Sequence, residues 1–191
     1  MQQLLEERTI QHISVSDIAA KAGIGKGSIY YYFDSKDSIV DALIKRSYEK
    51  PLQTAKTLAT QTNISSFTRM AMLFQACQSS SAIFLRQKQH TSASAQDLAF
   101  LHQKYLSYVI SELKPALTEI ISQGIESGEI HFDYPAALAE IVLIVIAVKF
   151  DNSLIPSTQE ETADTLQGLI SLLEKGTGVP TGTLDYLSIT K

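Results

Sequence analysis

The chain has 191 residues, 45% of them hydrophobic and 19% charged, which gives apolar side chain enough for one large or two small folded domains and excludes a disordered chain. Its formal net charge is −4, yet residues 1–50 carry seven Lys/Arg against seven Asp/Glu and the remainder nine against thirteen, so a neutral first part precedes an acidic second part and can still meet a polyanion through a local patch. The lone cysteine, Cys77, excludes an internal disulfide and fits a reducing compartment.

Residues 1–7 (MQQLLEE) read as a helix with Leu4 and Leu5 facing a helix-turn-helix over the next thirty residues. They lack the basic start and apolar run of a signal peptide. Ser14 and Asp17 have the S-x-x-D spacing of a capping box, which places a helix at about 15–22. Gly23 sits just past its end, where a glycine takes the left-handed conformation, and the chain turns at Gly23, Ile24 and Gly25. A second helix opens at Lys26, and Ile18, Ala19, Ala22, Ile24, Ile29 and Phe33 are spaced to pack the two together as a helix-turn-helix.

That arrangement leaves Lys26, Gly27, Ser28, Tyr30 and Tyr31 exposed, a set that suits a duplex. Lys26 meets a phosphate or the acceptors of guanine, Ser28 donates or accepts, and the Tyr hydroxyls reach backbone oxygens while their rings pack on sugars or thymine methyls. Gly27 allows close approach to the groove. Ser35 caps a further helix and Lys36 lies in its first turn, unfavourable for the helix dipole, which a phosphate partner would explain. The competing reading of residues 30–33 is an aromatic core stripe, but four consecutive aromatics cannot all face inward on a helix of 3.6 residues per turn.

These residues resemble a known signature. Ser14-Val15-Ser16-Asp17-Ile18-Ala19, Ala22-Gly23-Ile24, Lys26-Gly27-Ser28-Ile29-Tyr30-Tyr31-Tyr32-Phe33 and Ser35-Lys36-Asp37 look like the DNA-binding motif of the TetR family of one-component transcriptional regulators. The resemblance covers about the first fifty residues and implies that Lys26, Ser28, Tyr30, Tyr31 and Lys36 touch DNA, with Ile18, Ala19, Ala22, Ile29 and Phe33 as core. Two departures stand out. Only thirteen residues precede Ser14, where the family has a longer first helix and often a basic arm, so this start is either truncated, assigned late or natively short. Ser16 also stands where many relatives carry a longer residue able to reach DNA.

Beyond Lys36, the apolar positions Ile39, Val40, Leu43, Ile44 and Tyr48 continue a helix, with a kink or break expected at Pro51. Phe67, Met70, Ala71, Phe74 and Cys77 mark one face of the next helix, which the serines at 79–81 should end before a short helix around residues 83–85 and a loop over 87–94. Ser94 and Asp97 then open the longest amphipathic run, bent or divided at Pro115 and closed near Gly128. Asp133 and Pro135 start a helix to about Phe150 that is apolar on every side, and its run at 141–148 is too short to span a bilayer, which takes about 20 residues. Ser157 and Glu160 form a third capping pair before a last helix ending near Gly176. Residues 176–191 read as a disordered tail or, alternatively, as a segment packed on the body or in a neighbour's pocket.

The helices over residues 67–125 have room for an apolar ligand cavity near Phe67, Met70, Phe74, Cys77, Phe84, Tyr105 and Tyr108, although any one of these taken singly reads better as ordinary core. Cys77 is a thiol sensor or, more simply, an inert core residue. His12, His90, His102 and His131 lack metal-ligand spacing, and no nucleophile elbow, phosphate loop or dinucleotide fingerprint is present, so neither a metal, a cofactor nor an enzyme is expected.

The expected fold is all-α: a helix-turn-helix head at 1–46, a helical ligand-binding and dimerisation body at 47–175, and a tail at 176–191. By resemblance the last two helices pair with their symmetry mates; the alternative is that they complete a monomer core. The expected function is a ligand-responsive, cytoplasmic DNA-binding regulator of the TetR type, a homodimer on a palindromic operator answering to a small apolar or aromatic effector. A regulator controlled by, or recruiting, a partner protein is the alternative.

Overall fold

Ser14 and Asp17 form the reciprocal pair that their spacing implies: the Asp17 N–H donates to the Ser14 hydroxyl at 3.1 Å and the Ser14 N–H donates to the Asp17 carboxylate at 2.8 Å. The helix they start, Val15–Ala22, closes on Gly23 at φ +68°, with the Ile24 and Gly23 N–H groups donating to the Ala19 and Ala20 carbonyls. A residue with a Cβ is strained in that conformation, so glycine fits this corner.

The computed structural model describes residues 1–8, 10–88, 95–151 and 155–188. Within them the chain forms α1 (Gln2–Glu7), α2 (Val15–Ala22), α3 (Lys26–Tyr32), α4 (Lys36–Ala59), α5 (Ser66–Lys88), α6 (Ala95–Glu126), α7 (Pro135–Asp151) and α8 (Gln159–Thr177). Single 3-10 turns lie at Ile10–His12 and Asp185–Leu187, and no strand occurs among the described residues. The fold is therefore all-α, as expected.

Two compact units emerge, one of Met1–Glu49 with Ser80–Tyr108 and one of Lys50–Ser79 with Val109–Lys191, and the dividing points fall inside α4, α5 and α6. The first unit thus adds Ser80–Tyr108 to the linear division at residue 46/47. Its core gathers Leu4, Leu5, Ile10, Ile13, Ile18, Ala19, Ile29, Val40, Ile44 and Leu101, with Phe33 and Tyr108 packed partly buried against it. Lys104 on α6 donates to Asp41 on α4 at 2.9 Å, which holds its ammonium above the usual lysine range. Two expected core residues are not inside: Ala22 is exposed and Ile24 is 49% exposed, because both lie at the corner outside the faces that α2 and α3 bury against each other.

In the second unit Leu73, Leu113, Leu117, Ile120 and Leu166 are almost wholly buried. Near the N-terminus of α5 the buried Arg69 donates to Gln123 on α6 and, at 3.2 Å, to Ser66, while the Ser66 N–H donates to Glu129 at 2.8 Å. Gln123 in turn donates to the Ala59 carbonyl at the end of α4.

Several expected boundaries are corrected. Neither Pro51 nor Pro115 divides its helix. A helix-interior proline costs about 3 kcal/mol, which the buried Leu52 and Leu58 around Pro51, at about 1.5–3 kcal/mol each, offset. The serines at 79–81 do not end α5, which runs on to Lys88, since serine lacks the backbone conflict of proline and merely lowers helix propensity. The expected helix at 83–85 is therefore part of α5. The cap of α8 is Thr158 with Glu161, one residue beyond the expected Ser157 and Glu160; Ser157 instead donates to the Ile155 carbonyl. The expected cap residue Ser94 lies outside the described residues. Gly128, at φ +78°, comes just after the end of α6 as anticipated.

Residues 178–188 of the tail pack on the second unit. Val179, Leu184 and Leu187 are buried, and one carboxylate oxygen of the buried Glu174 accepts the N–H groups of Gly182 at 2.8 Å and Leu184 at 3.1 Å. The disordered reading fails because these three apolar side chains fold back onto the body.

Candidate nucleic-acid interface

On α3 a buried Ile29 is flanked by an exposed polar and aromatic surface. Lys26, Gly27 and Ser28 are exposed, as are Tyr30, Tyr31 and Tyr32 at 48%, 81% and 75%. Tyr31 and Tyr32 meet edge to face with centroids 4.8 Å apart, so two large rings stand in water supported chiefly by each other. Contiguous exposed aromatic surface is a common feature of interaction sites. The Lys26 ammonium lies 5.7 Å from the Tyr30 ring and makes no ion pair among the described residues, whereas Lys21 pairs with Glu7 at 2.7 Å and Arg8 with Asp17 at 3.4 Å. Lys26 thus stands on the same exposed surface as Tyr30 and makes no ion pair with a neighbouring carboxylate among the described residues.

The Lys36 ammonium, half-buried, donates one hydrogen bond to the Ile10 carbonyl at 2.8 Å. Tyr32 is a surface residue that the sequence reading omits from the contact set; the clue lies in the pattern itself, since four adjacent aromatics with Ile29 and Phe33 facing inward leave all three tyrosines outside. Ser14 and Ser38 secure the helices on either side, the latter by reciprocal bonds with Ser35 at 3.1 and 3.2 Å. The Ser14 hydroxyl and then its N–H hold the Asp17 carboxyl below its usual range.

The expected ligand residues separate. Phe67, Met70 and Phe74 line a cavity of about 40 Å3 in the second unit, together with residues of α6, α7, α8 and the tail. Tyr105 instead packs on Tyr48 with centroids 4.7 Å apart, Tyr108 lies against the first unit's core, and Cys77 does not line this cavity. The Phe84 side chain lies outside the described residues. Burial pushes the Cys77 thiol up to about 12, which suits a packed, unreactive side chain. Among the described residues no cluster of His, Cys, Asp and Glu can hold a metal, and no helix is long and apolar enough to cross a membrane.

Residues 2–43 match the sequence profile of bacterial regulatory proteins of the tetR family, and residues 81–169 match that of a tetracyclin repressor-like C-terminal domain, so the two together cover well over half of the chain. The chain belongs to the TetR family. TetR proteins are DNA-binding transcriptional regulators and not enzymes, and the matched head contains the whole exposed face of α3. The HTH-type transcriptional repressor KstR2 of Rhodococcus jostii (strain RHA1) is 27% identical over 142 residues, 71% of this chain and 67% of that protein. EthR of Mycobacterium tuberculosis (strain ATCC 25618 / H37Rv), an HTH-type transcriptional regulator, is 39% identical over 56 residues, 29% of this chain and 26% of its own. The uncharacterized HTH-type regulator YxbF of Bacillus subtilis (strain 168) is 45% identical over 42 residues, 22% of this chain and 11% of its own. The chain thus spans about a quarter or less of the latter two, a match of TetR head size only.

Proposed function

We propose that this TetR-family regulator is a cytoplasmic repressor that binds an inverted-repeat operator as a homodimer and lets go when a small apolar or aromatic effector occupies its body. The observation that carries the reading is the exposed face of α3, with Lys26 free of ion pairs among the described residues and Tyr30, Tyr31 and Tyr32 in solvent around the buried Ile29. Lys26, Gly27, Ser28, Tyr30 and Tyr31 are the proposed contacts, and Tyr32 joins them. Lys36 has two N–H bonds beyond the one given to Ile10, and these are the ones assigned to phosphate. KstR2 is itself named a repressor, which supports that sign of regulation.

Dimerisation is supported by the outer faces of α7 and α8. Ile141 and Ile144 on α7 and Leu172 on α8 are exposed at 52%, 43% and 72%, although each helix also buries its opposite side in the second unit. In this reading these faces pair about a two-fold axis, and an inverted repeat read by two copies of α3 has its half-sites about 34 Å apart or a multiple of it. An effector that favours another spacing then releases DNA by as much as its affinities for the two states differ. Sedimentation of the purified chain tests the assembly. A dimer that Leu172→Glu converts to monomer, with loss of operator binding, is expected. A monomeric wild type that binds one half-site contradicts the reading.

A further inference from the structure

We propose that residues 179–188 are a built-in occupant of the effector cavity, a plug that a neutral, flat apolar molecule must displace in order to bind. This rests on the ligand-responsive reading above. The cavity lies within the second unit, and part of its wall is not body helix at all but Leu184, Tyr186 and Leu187 of the folded-back tail. The Tyr186 ring faces Phe74 with centroids 6.2 Å apart and planes tilted by 32°, a packing that an aromatic guest would reproduce.

Size argues for displacement. The space left beside the plug is about 40 Å3, whereas an apolar cavity known to hold benzene measures about 150 Å3. Withdrawal of Tyr186 vacates the volume of an aromatic ring by its own shape, and withdrawal of Leu184 and Leu187 extends it. Chemistry then selects the guest. The cavity wall carries no charged side chain among the described residues, and its Thr177 hydroxyl is committed to the Leu173 carbonyl at 2.7 Å. A carboxylate, phosphate or ammonium would be buried there without a partner, so the ligand class is a neutral aromatic or hydrocarbon.

The plug is held by a latch outside the cavity. Glu174, which does not line it, accepts the Gly182 and Leu184 N–H groups, and Gly182 turns the chain at φ +89°. Ligand affinity is scaled by the fraction of molecules with the plug out, so weakening the latch raises affinity without touching the wall.

The test uses the full chain and the neutral fluorophore N-phenyl-1-naphthylamine, with its anionic relative 8-anilinonaphthalene-1-sulfonate as the charge control. Glu174→Ala, Gly182→Val and Tyr186→Ala are each expected to bind the neutral probe about tenfold more tightly than wild type, with Tyr186→Phe unchanged and the sulfonate weaker throughout. Two independent latch variants keep the test decisive should one fail to fold, as judged by circular dichroism. Unchanged affinity in the folded latch variants overturns the proposal, even if Tyr186→Ala binds more tightly, because that shows space made and not a plug released. Tighter probe binding with no effect on operator affinity supports the plug and refutes effector control of DNA binding. Probe-driven operator release without tightening in the latch variants overturns the plug and leaves effector control standing.

Discussion

Gly124 and Gly27 invite the same substitution with opposite results. In α6 a Cβ at Gly124 would sit 2.7 Å from the Ile130 Cδ1 and 2.8 and 3.0 Å from the Ser66 Oγ and Cβ, well inside the roughly 3.5–4.0 Å of a relaxed carbon contact. Ser66 cannot move aside cheaply, since its N–H donates to Glu129 and its hydroxyl accepts from Arg69. Overpacking of this kind costs about 1–3 kcal/mol, against about 0.8–1.0 kcal/mol gained from alanine's helix propensity. The net loss for Gly124→Ala is on the order of 1 kcal/mol, or about 2–4 °C in Tm for a chain of this length. At Gly27 nothing lies within 4 Å, so Gly27→Ala keeps only the propensity gain, reduced by its place in the first turn, and Tm holds or rises slightly. Thermal melting tracked by circular dichroism reads both. A Gly124→Ala protein melting at or above wild type would refute the packing argument, and Gly27→Ala with unimpaired operator affinity would refute close approach of α3 to the groove.

Three further outcomes rest on named groups. Lys26→Ala should weaken operator binding across sequences and lower the salt slope by about one, and Tyr31→Ala should weaken it with the slope retained; anisotropy titrations at two salt concentrations distinguish them, and unchanged affinity in both sinks the contact assignment. Asp17 and Glu161 are held below their ordinary values of 3.8 and 4.5, chiefly by the Ser14 hydroxyl and the Thr158 N–H. Their folded-state values are depressed, so the stability they contribute is full above those ordinary values and is lost as pH falls through the lowered ones. Urea titrations between pH 6 and pH 2 should therefore show an acid loss that Asp17→Asn reduces; an equal loss in that variant counts against the cap. Cys77, raised to about 12 by burial, should resist a disulfide reagent at pH 8 in the folded protein and react once the chain is unfolded in guanidinium. Rapid native labelling would contradict its buried setting.

The head is legible in the sequence because its signals are local. Ser14 with Asp17, Gly23 and Ser35 each act within a few residues, and all three appear where the spacing puts them. Ala22, Ile24 and Tyr32 escape such a reading because apolar or aromatic character does not amount to burial at a corner or on a short helix, where the geometry offers one inward face only. The serines at 79–81 mislead for the opposite reason: they weaken a helix locally, whereas long-range packing decides whether it continues. The cavity is half legible. Phe67, Met70 and Phe74 share a helix face that periodicity reveals, but the contribution of Leu184, Tyr186 and Leu187 depends on a chain reversal held by Glu174, ten residues from Leu184 and carrying no motif.

DNA recognition by α3 is the central claim, and selection from a random duplex library with the purified chain tests it most directly. An enriched inverted repeat, bound by a dimer and lost when Tyr30, Tyr31 and Lys26 are replaced together by alanine in a protein that still folds, is the predicted result. No enriched sequence, or an enriched sequence whose binding survives the triple replacement, would contradict it.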